Sequence, residues 1–400
     1  MKNVSTWVAA TAAAALVMVG SLAGGATAHA VSAQPLKPKE SAQSQDFDGT
    51  QSVGEADWLD DASGRQSVFI QTTGGSALVT MARQQNKGLS KSAAASRAKT
   101  QAAATQVTTD AIADKVRSLD PGATIMYDSQ HTVPGIAVRA TVGALQKVRQ
   151  RSDVITIVEL PRYAEPTAEA ADDKSATGTV TTSNAQTSDL VRAIEAWKQK
   201  NQGQDVVVAV ADSGLDYTHA DFGGPGTTAA YDSAVAAAKG SVPTGLMNTE
   251  KVVGGIDLYG TDGTGNNPDN NPIPTRKDNT DHGTHVAGSI AGWGVNSNGS
   301  TYDPGSRDYS RVSDASQLSS LKVAPGMAPR AKLYGIKIFG DDGSGTGLAM
   351  KAMEHVAKIT ATTNIKIDIE NESLAGATAT RTTTTKKRPS RHSMPLELSR

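Results

Sequence analysis

Two short segments of this 400-residue chain carry groups that can pass a proton between them. The first is Val206-Val207-Val208-Ala209-Val210-Ala211-Asp212-Ser213-Gly214. A continuous apolar run of this kind suits a parallel strand buried on both faces. Asp212 stands where the run ends, the end at which open α/β sheets bind ligands. The second is Asp281-His282-Gly283-Thr284-His285-Val286-Ala287-Gly288. His282 opens a run of small residues that can pack a helix tightly beneath it. An imidazole takes and returns a proton near neutral pH. A carboxylate can hold that imidazole in one tautomer and stabilise its protonated form. Each segment alone has a plainer meaning. Asp-Ser-Gly is a common turn. His282 and His285 could be metal ligands one turn apart, but a zinc peptidase of that design needs Glu beside the first His, and Gly283 is there. No metal ligand is assigned.

The elements that must position this pair can be read from periodicity. Helix Asp189–Lys200 carries Leu190, Ile194 and Trp197 on one face. Strands are expected at Val206–Val210, Val252–Ile256, Lys332–Ile338 and Ile365–Ile369, with helices after His282 and after Gly345. That alternation predicts an α/β domain with a doubly wound parallel sheet. Ahead of it stands a second pattern. A strand at Ser67–Ile70 is followed by an Ala-rich helix over Ser92–Ser118, with Ile112, Val116 and Leu119 on its apolar stripe, and Asp120-Pro121-Gly122 stops it. Strands at Ala123–Tyr127 and Ile136–Ala140, a helix Val142–Arg149 capped by Thr141, and a strand Val154–Val158 complete a β-α-β-β-α-β order. This is the ferredoxin-like α+β pattern.

Composition sets outer bounds. A formal net charge of −1 gives no reason to invoke nucleic acid or an anionic membrane. With no cysteine, disulfides and thiolate metal sites are excluded. Lys2, the apolar run Trp7–Val19 and Ala28-His29-Ala30 read as a cleavable export signal. That run is shorter than the roughly 20 residues of a membrane span. The expected organisation is a signal peptide over 1–30, a polar spacer over 31–66, a small domain over 67–160, a linker over 161–186, the α/β domain over 187–376 and a non-family tail over 377–400.

The Asp212 and His282 segments, in this order, resemble the subtilisin-like serine proteases (subtilases, peptidase family S8). Val323-Ala324-Pro325-Gly326-Met327-Ala328-Pro329, Asp341-Asp342-Gly343-Ser344-Gly345 and Asn371-Glu372-Ser373-Leu374-Ala375-Gly376 are similar to later segments of that family. The resemblance implies a secreted serine endopeptidase with Asp212 and His282 catalytic and His285 structural. It implies an extended polypeptide substrate lying between Gly345 and Ser373-Leu374. It also implies that the 67–160 domain is a propeptide that assists folding and blocks the site. No cofactor is required. The oxygen-rich stretch Asp262–Asn270 would suit calcium, or a solvated loop.

Three departures from the family carry expectations of their own. Glu370 and Glu372 replace apolar residues, and two buried carboxylates cost several kcal/mol unless paired or protonated. Ala375 replaces a glycine and would crowd a bound strand. The family's Gly-Thr-Ser-Met-Ala and its oxyanion asparagine do not occur in the 400 residues. Ser393, in His392-Ser393-Met394, lacks the preceding Gly-Thr. The expected product is therefore a truncated or frameshifted, weakly folded and inactive peptidase. Two other classes stand beside it: a non-catalytic protein whose N-terminal domain binds a related protease, and a metal hydrolase using His282 and His285.

Overall fold

The computed structural model describes residues 58–164, 183–275 and 282–376. The export signal, the serine-bearing tail and most of the linker lie outside them.

The N-terminal domain begins earlier than Ser67. Helix α1 (Trp58–Asp61) seats Leu59 in the core, and β1 (Arg65–Thr72) follows. Two helices then stand where one was expected: α2 (Ala77–Asn86), capped by the Ser76 hydroxyl on Val79 N, and α3 (Lys91–Leu119), capped likewise by Ser90 on Ala93 N. Strands β2 (Thr124–Ser129) and β3 (Gly135–Thr141), helix α4 (Val142–Arg149) and strand β4 (Val154–Glu159) complete the domain. Thr141 makes no side-chain cap on α4. Its backbone N–H goes instead to Asp120 Oδ2 at 2.8 Å.

The sheet order is β2-β3-β1-β4, all antiparallel, the ferredoxin-like arrangement. Side chains alternate across a strand, and β1 uses both faces. Val68 and Ile70 pack with Ile112, Val116, Leu145 and Val148 of the helices. Phe69, between them, packs on the other face with Met126, Tyr127 and Ala137 against the second domain.

Leu160 to Ala164 is not a loose linker. It runs extended into a short strand β5 (Tyr163–Ala164). Past the undescribed residues, α5 (Ser183–Leu190) and α6 (Ala193–Lys198) replace the single helix expected over 189–200. They break at Arg192, whose φ of 62° is left-handed.

The second sheet is fully parallel, in the order β7-β8-β6-β9: β6 (Val207–Asp212), β7 (Val252–Asp257), β8 (Lys332–Lys337) and β9 (Ile369–Asn371). Helices cover both faces, as a doubly wound sheet requires. Val208 and Val210 face helix α8 (His282–Ala291), which follows α7 (Thr228–Ala236) in the chain. Ala209 and Ala211 face helix α10 (Ala349–Thr362), which follows the short α9 (Ala315–Leu318). Strand β9 lies further along than Ile365–Ile369. Ile365 and Ile367 pack into the core beside Ile359 before pairing begins. A final strand, β10 (Ala375–Gly376), pairs with β5.

Candidate active site

Asp212 ends β6 and is fully buried. His282 opens α8, and its Nδ1 lies 2.8 Å from Asp212 Oδ1. The same oxygen accepts the Ser213 N–H at 2.7 Å, while Oδ2 is buried without a hydrogen-bond partner. The carboxylate is thus enclosed, and the imidazole side chain keeps 23% of its surface open to solvent. The fold brings these two residues, 70 positions apart, into a carboxylate–imidazole pair at the carboxyl end of a parallel sheet. Such a pair can orient and polarise a general base.

The small residues after His282 are what permit the contact. A methyl on Gly283 would stand 2.3 Å from the Gly214 carbonyl oxygen and 2.9 Å from Asp212 Cβ, so only glycine lets α8 start this close to β6. Gly283 N–H also donates to Ser213 Oγ at 3.0 Å, and Thr284 Oγ1 accepts from Asp216 N at 2.9 Å. His285 is exposed on α8. Among the described residues no three His, Cys, Asp or Glu side chains converge as metal ligands.

The channel expected between Gly345 and Ser373-Leu374 is filled by the chain itself. Tyr163 N–H donates to Thr346 O at 2.8 Å, and Thr346 N–H donates back to Tyr163 O at 2.8 Å. On the other side Ala164 pairs with Ala375 and Tyr163 with Gly376, antiparallel. Residues 163–164 therefore form the middle strand of three. The pairing residues are Thr346, Ala375 and Gly376 rather than Gly345, Ser373 and Leu374. Alternation explains the shift. Leu374 turns into the core beside Tyr163, and Ser373 accepts from Asn371 Nδ2 at 3.0 Å. Gly345 borders the channel: its carbonyl accepts Arg162 Nη2 at 3.1 Å, and a methyl there would stand 2.6 Å from Tyr163 O. Ala375 does not block the pairing; its Cα partner is Ala164.

Two supports have no counterpart in the sequence reading. Lys337, buried at the end of β8, bridges Asp257 (3.1 Å) at the end of β7 to Asp341 (2.8 Å) in the 340–345 loop. Asp341 also accepts Thr275 N–H at 3.0 Å. This ion triad ties the ends of two strands to the loop that leads to Thr346 and its pairing with Tyr163. A Lys at the end of an apolar strand with two acidic residues just beyond it was the available signal.

The second support is Glu354, on the buried face of α10. Its Oε1 accepts Gln130 N (3.0 Å) and His131 N (2.9 Å) and lies 2.7 Å from His131 Nδ1. Its Oε2 accepts Thr132 N, Thr132 Oγ1 and Ser129 Oγ, each at 2.9 Å. Burial favours the neutral acid, but His131 and the backbone N–H donors overcome it and hold Glu354 down at about 2. A charged residue inside an otherwise apolar helix face was the only hint of it.

In the 262–270 stretch, Asp262 Oδ1 accepts Thr264 N and Oγ1 within its own loop. Asn266 Nδ2 donates to Ile125 O at 2.6 Å and so holds the N-terminal domain.

Comparison with known proteins agrees with this geometry. Residues 203–397 match the subtilase family model, which corrects the expectation that the family resemblance ends at Gly376 and that 377–400 is a non-family tail. A curated relative, Subtilisin DY from Bacillus licheniformis, is 26% identical over 192 residues. The match covers 47% of this chain, which spans 43% of that protein's length. The parallel sheet and the Asp212–His282 pair at its carboxyl end agree with that match, and over residues 203–397 the chain is similar to the subtilase family of S8 peptidases.

Proposed function

We propose that this chain is a secreted serine endopeptidase by descent, in which the N-terminal domain serves as a propeptide and occupies its own peptide channel. One observation carries the reading. The extended segment Tyr163–Ala164 is hydrogen-bonded on both sides, as a peptide substrate added to a sheet edge would be, in the domain that holds the Asp212–His282 pair. In a complete site a serine hydroxyl would pass its proton to His282 and attack a peptide carbonyl. His282 would return the proton to the leaving amine, with Asp212 fixing its tautomer. Main-chain pairing along Thr346 and Ala375–Gly376 would hold the peptide without strict sequence choice.

The 400 residues contain no Gly-Thr-Ser-Met-Ala. Loss of one triad member can cost on the order of a million-fold in turnover. On this reading the 400 residues alone do not form an acyl-enzyme. Labelling with a serine-directed phosphonate tests this: no stoichiometric adduct is expected, and one would overturn it. Export is supported by the Lys2 to Ala30 pattern, and no helix among the described residues is long and apolar enough to cross a membrane.

A second reading is favoured by the docked domain itself: a non-catalytic protein that inhibits a related protease. Adding the full chain to an active subtilase separates the two. Dose-dependent inhibition supports the second reading, and unchanged activity rejects it.

A further inference from the structure

Lys251 stands immediately before β7 and is fully buried, a rare place for a lysine. Its Nζ donates to three main-chain carbonyls, Ala291 O, Pro329 O and Ala331 O, each at 2.7 Å. The same atom lies 5.0 Å from the centre of the Trp293 ring, within cation–π range. Three acceptors match the three protons of an ammonium. A neutral amine has two, and would leave one carbonyl without a donor. Of the charged groups around it, Asp221 favours the ammonium and Arg307 opposes it. Asp221 is fixed beside Trp293: its main-chain carbonyl accepts Trp293 N–H at 2.8 Å, and its Oδ1 accepts Gly294 N–H at 2.6 Å.

The three carbonyls come from two elements. Ala291 ends α8, and Pro329 and Ala331 lead into β8. An α-helix leaves its last four carbonyls without a partner inside the helix. In α8, Gly288 O accepts Gly292 N–H (2.8 Å), Ser289 O accepts Met327 N–H (2.9 Å) and Ile290 O accepts Ala328 N–H (2.8 Å). The final carbonyl, Ala291 O, takes the Lys251 side chain, whose charge also suits the negative end of the helix dipole. The helix starts at His282 and runs 10 residues, about 15 Å at the usual rise. Its start is wedged against β6, where Gly283 meets Gly214. Its end is joined by one ammonium to the beginnings of β7 and β8. A rod held at both ends cannot tilt, and His282 sits at one of them.

We propose that Lys251 is a positioning residue for the Asp212–His282 pair: its ammonium fills a cage of three carbonyls and fixes the far end of the helix that begins at His282.

This deepens the peptidase reading by naming what holds its base in place. The phosphonate and inhibition experiments decide that reading; the measurement that follows needs no turnover and decides the positioning role alone. Burial pulls the Lys251 amine down to about 7, so the work is done at pH 6, where the ammonium is kept. Proton NMR of the full chain follows the downfield Nδ1–H of His282, bonded to Asp212. In Lys251→Ala its exchange with solvent should quicken by about tenfold, as expected for the loss of one charge-assisted hydrogen bond. n-Propylammonium, which replaces the missing atoms, should restore the native rate. 1-Propanol, which fills the same space without charge, should not. An unchanged His282 signal in the folded variant would overturn the proposal. So would failure of propylammonium to restore it, or equal rescue by propanol, which would assign the effect to lost volume. If Lys251→Ala does not fold, the native chain decides. Its Lys251 ammonium should show scalar coupling to the carbonyl carbons of Ala291, Pro329 and Ala331. On heating, that signal and the His282 Nδ1–H should broaden together, before the N-terminal sheet loses protection. Absence of the coupling would overturn the proposal, as would a His282 signal that outlasts the ammonium's.

Discussion

Glu354 reaches across to the N-terminal domain, whereas Glu370 stands in β9 and Glu372 just after it; all three are glutamates with buried carboxylate oxygens, yet they are displaced in opposite directions. Glu354 has both oxygens satisfied by three backbone N–H groups, two hydroxyls and a histidine ring, and stays ionised down to about 2. Glu370 and Glu372 each keep a buried oxygen without a donor, and burial pushes them up to about 8 and about 7. The difference teaches that enclosure alone does not set the sign of a carboxylate's contribution. The number and direction of donors supplied by the opposite surface do. The β2–β3 turn of the N-terminal domain supplies them, whereas Tyr127 and Tyr163 supply none.

The strongest way to break the comparison is to remove its favourable member. Glu354→Ala leaves three buried N–H groups and His131 without their acceptor, and should destabilise the docked protein by about 3–5 kcal/mol in denaturant unfolding. In the native chain the Glu354 contribution is present above its ordinary 4.5 and lost as the pH falls through about 2. An acid titration of stability should show that loss in the native chain and not in the variant.

Gly345→Val tests the strand that runs beside both clusters. Its side chain would meet Tyr163 O, from which even an added methyl would stand only 2.6 Å away. Overpacking of this kind costs about 1–3 kcal/mol, and exchange at Tyr163 and Thr346 should accelerate.

Replacing the unfavourable member should go the other way. Glu370→Ile/Glu372→Met substitutes apolar groups for unpartnered acids and should raise stability by about 1–3 kcal/mol. The gain should be larger at pH 8 than at pH 5, because only at the higher pH must the native chain protonate or expose these groups. A control away from the contact gives the smallest effect. Ser90→Ala removes the cap on α3 and should cost about 1 kcal/mol with no pH dependence across that range.

Much of the scaffold was legible because it is local. The run Val206–Val210 reads as a parallel strand and is one, Asp212 follows at its end, and the small residues after His282 do build a close-packed helix. The β-α-β-β-α-β order also carried through, with α2 missed because Val79 and Thr80 weaken its helical signal while the Ser76 cap rescues it. What was not legible is long-range. Nothing near Glu354 announces that residues 129–132, more than 220 positions away, will surround it. The acidic residues 370 and 372 were readable as a problem, but whether they would find partners depended on residues far away in the sequence. The residues that pair with Tyr163–Ala164 lie one or two positions from Gly345 and Ser373-Leu374 for a related reason. Ser373 and Leu374 look like pairing residues until the core claims Leu374 and moves the pairing to Ala375 and Gly376.

The account rests on Tyr163–Ala164 being the central strand between Thr346 and Ala375–Gly376 in the intact chain. Residue-resolved amide exchange of the full-length protein tests this most directly. Tyr163 and Thr346, which exchange a reciprocal pair of hydrogen bonds, should be protected together and lose protection together in Gly345→Val. Free exchange of both amides in the native chain, at a pH where the N-terminal sheet itself remains protected, would contradict it.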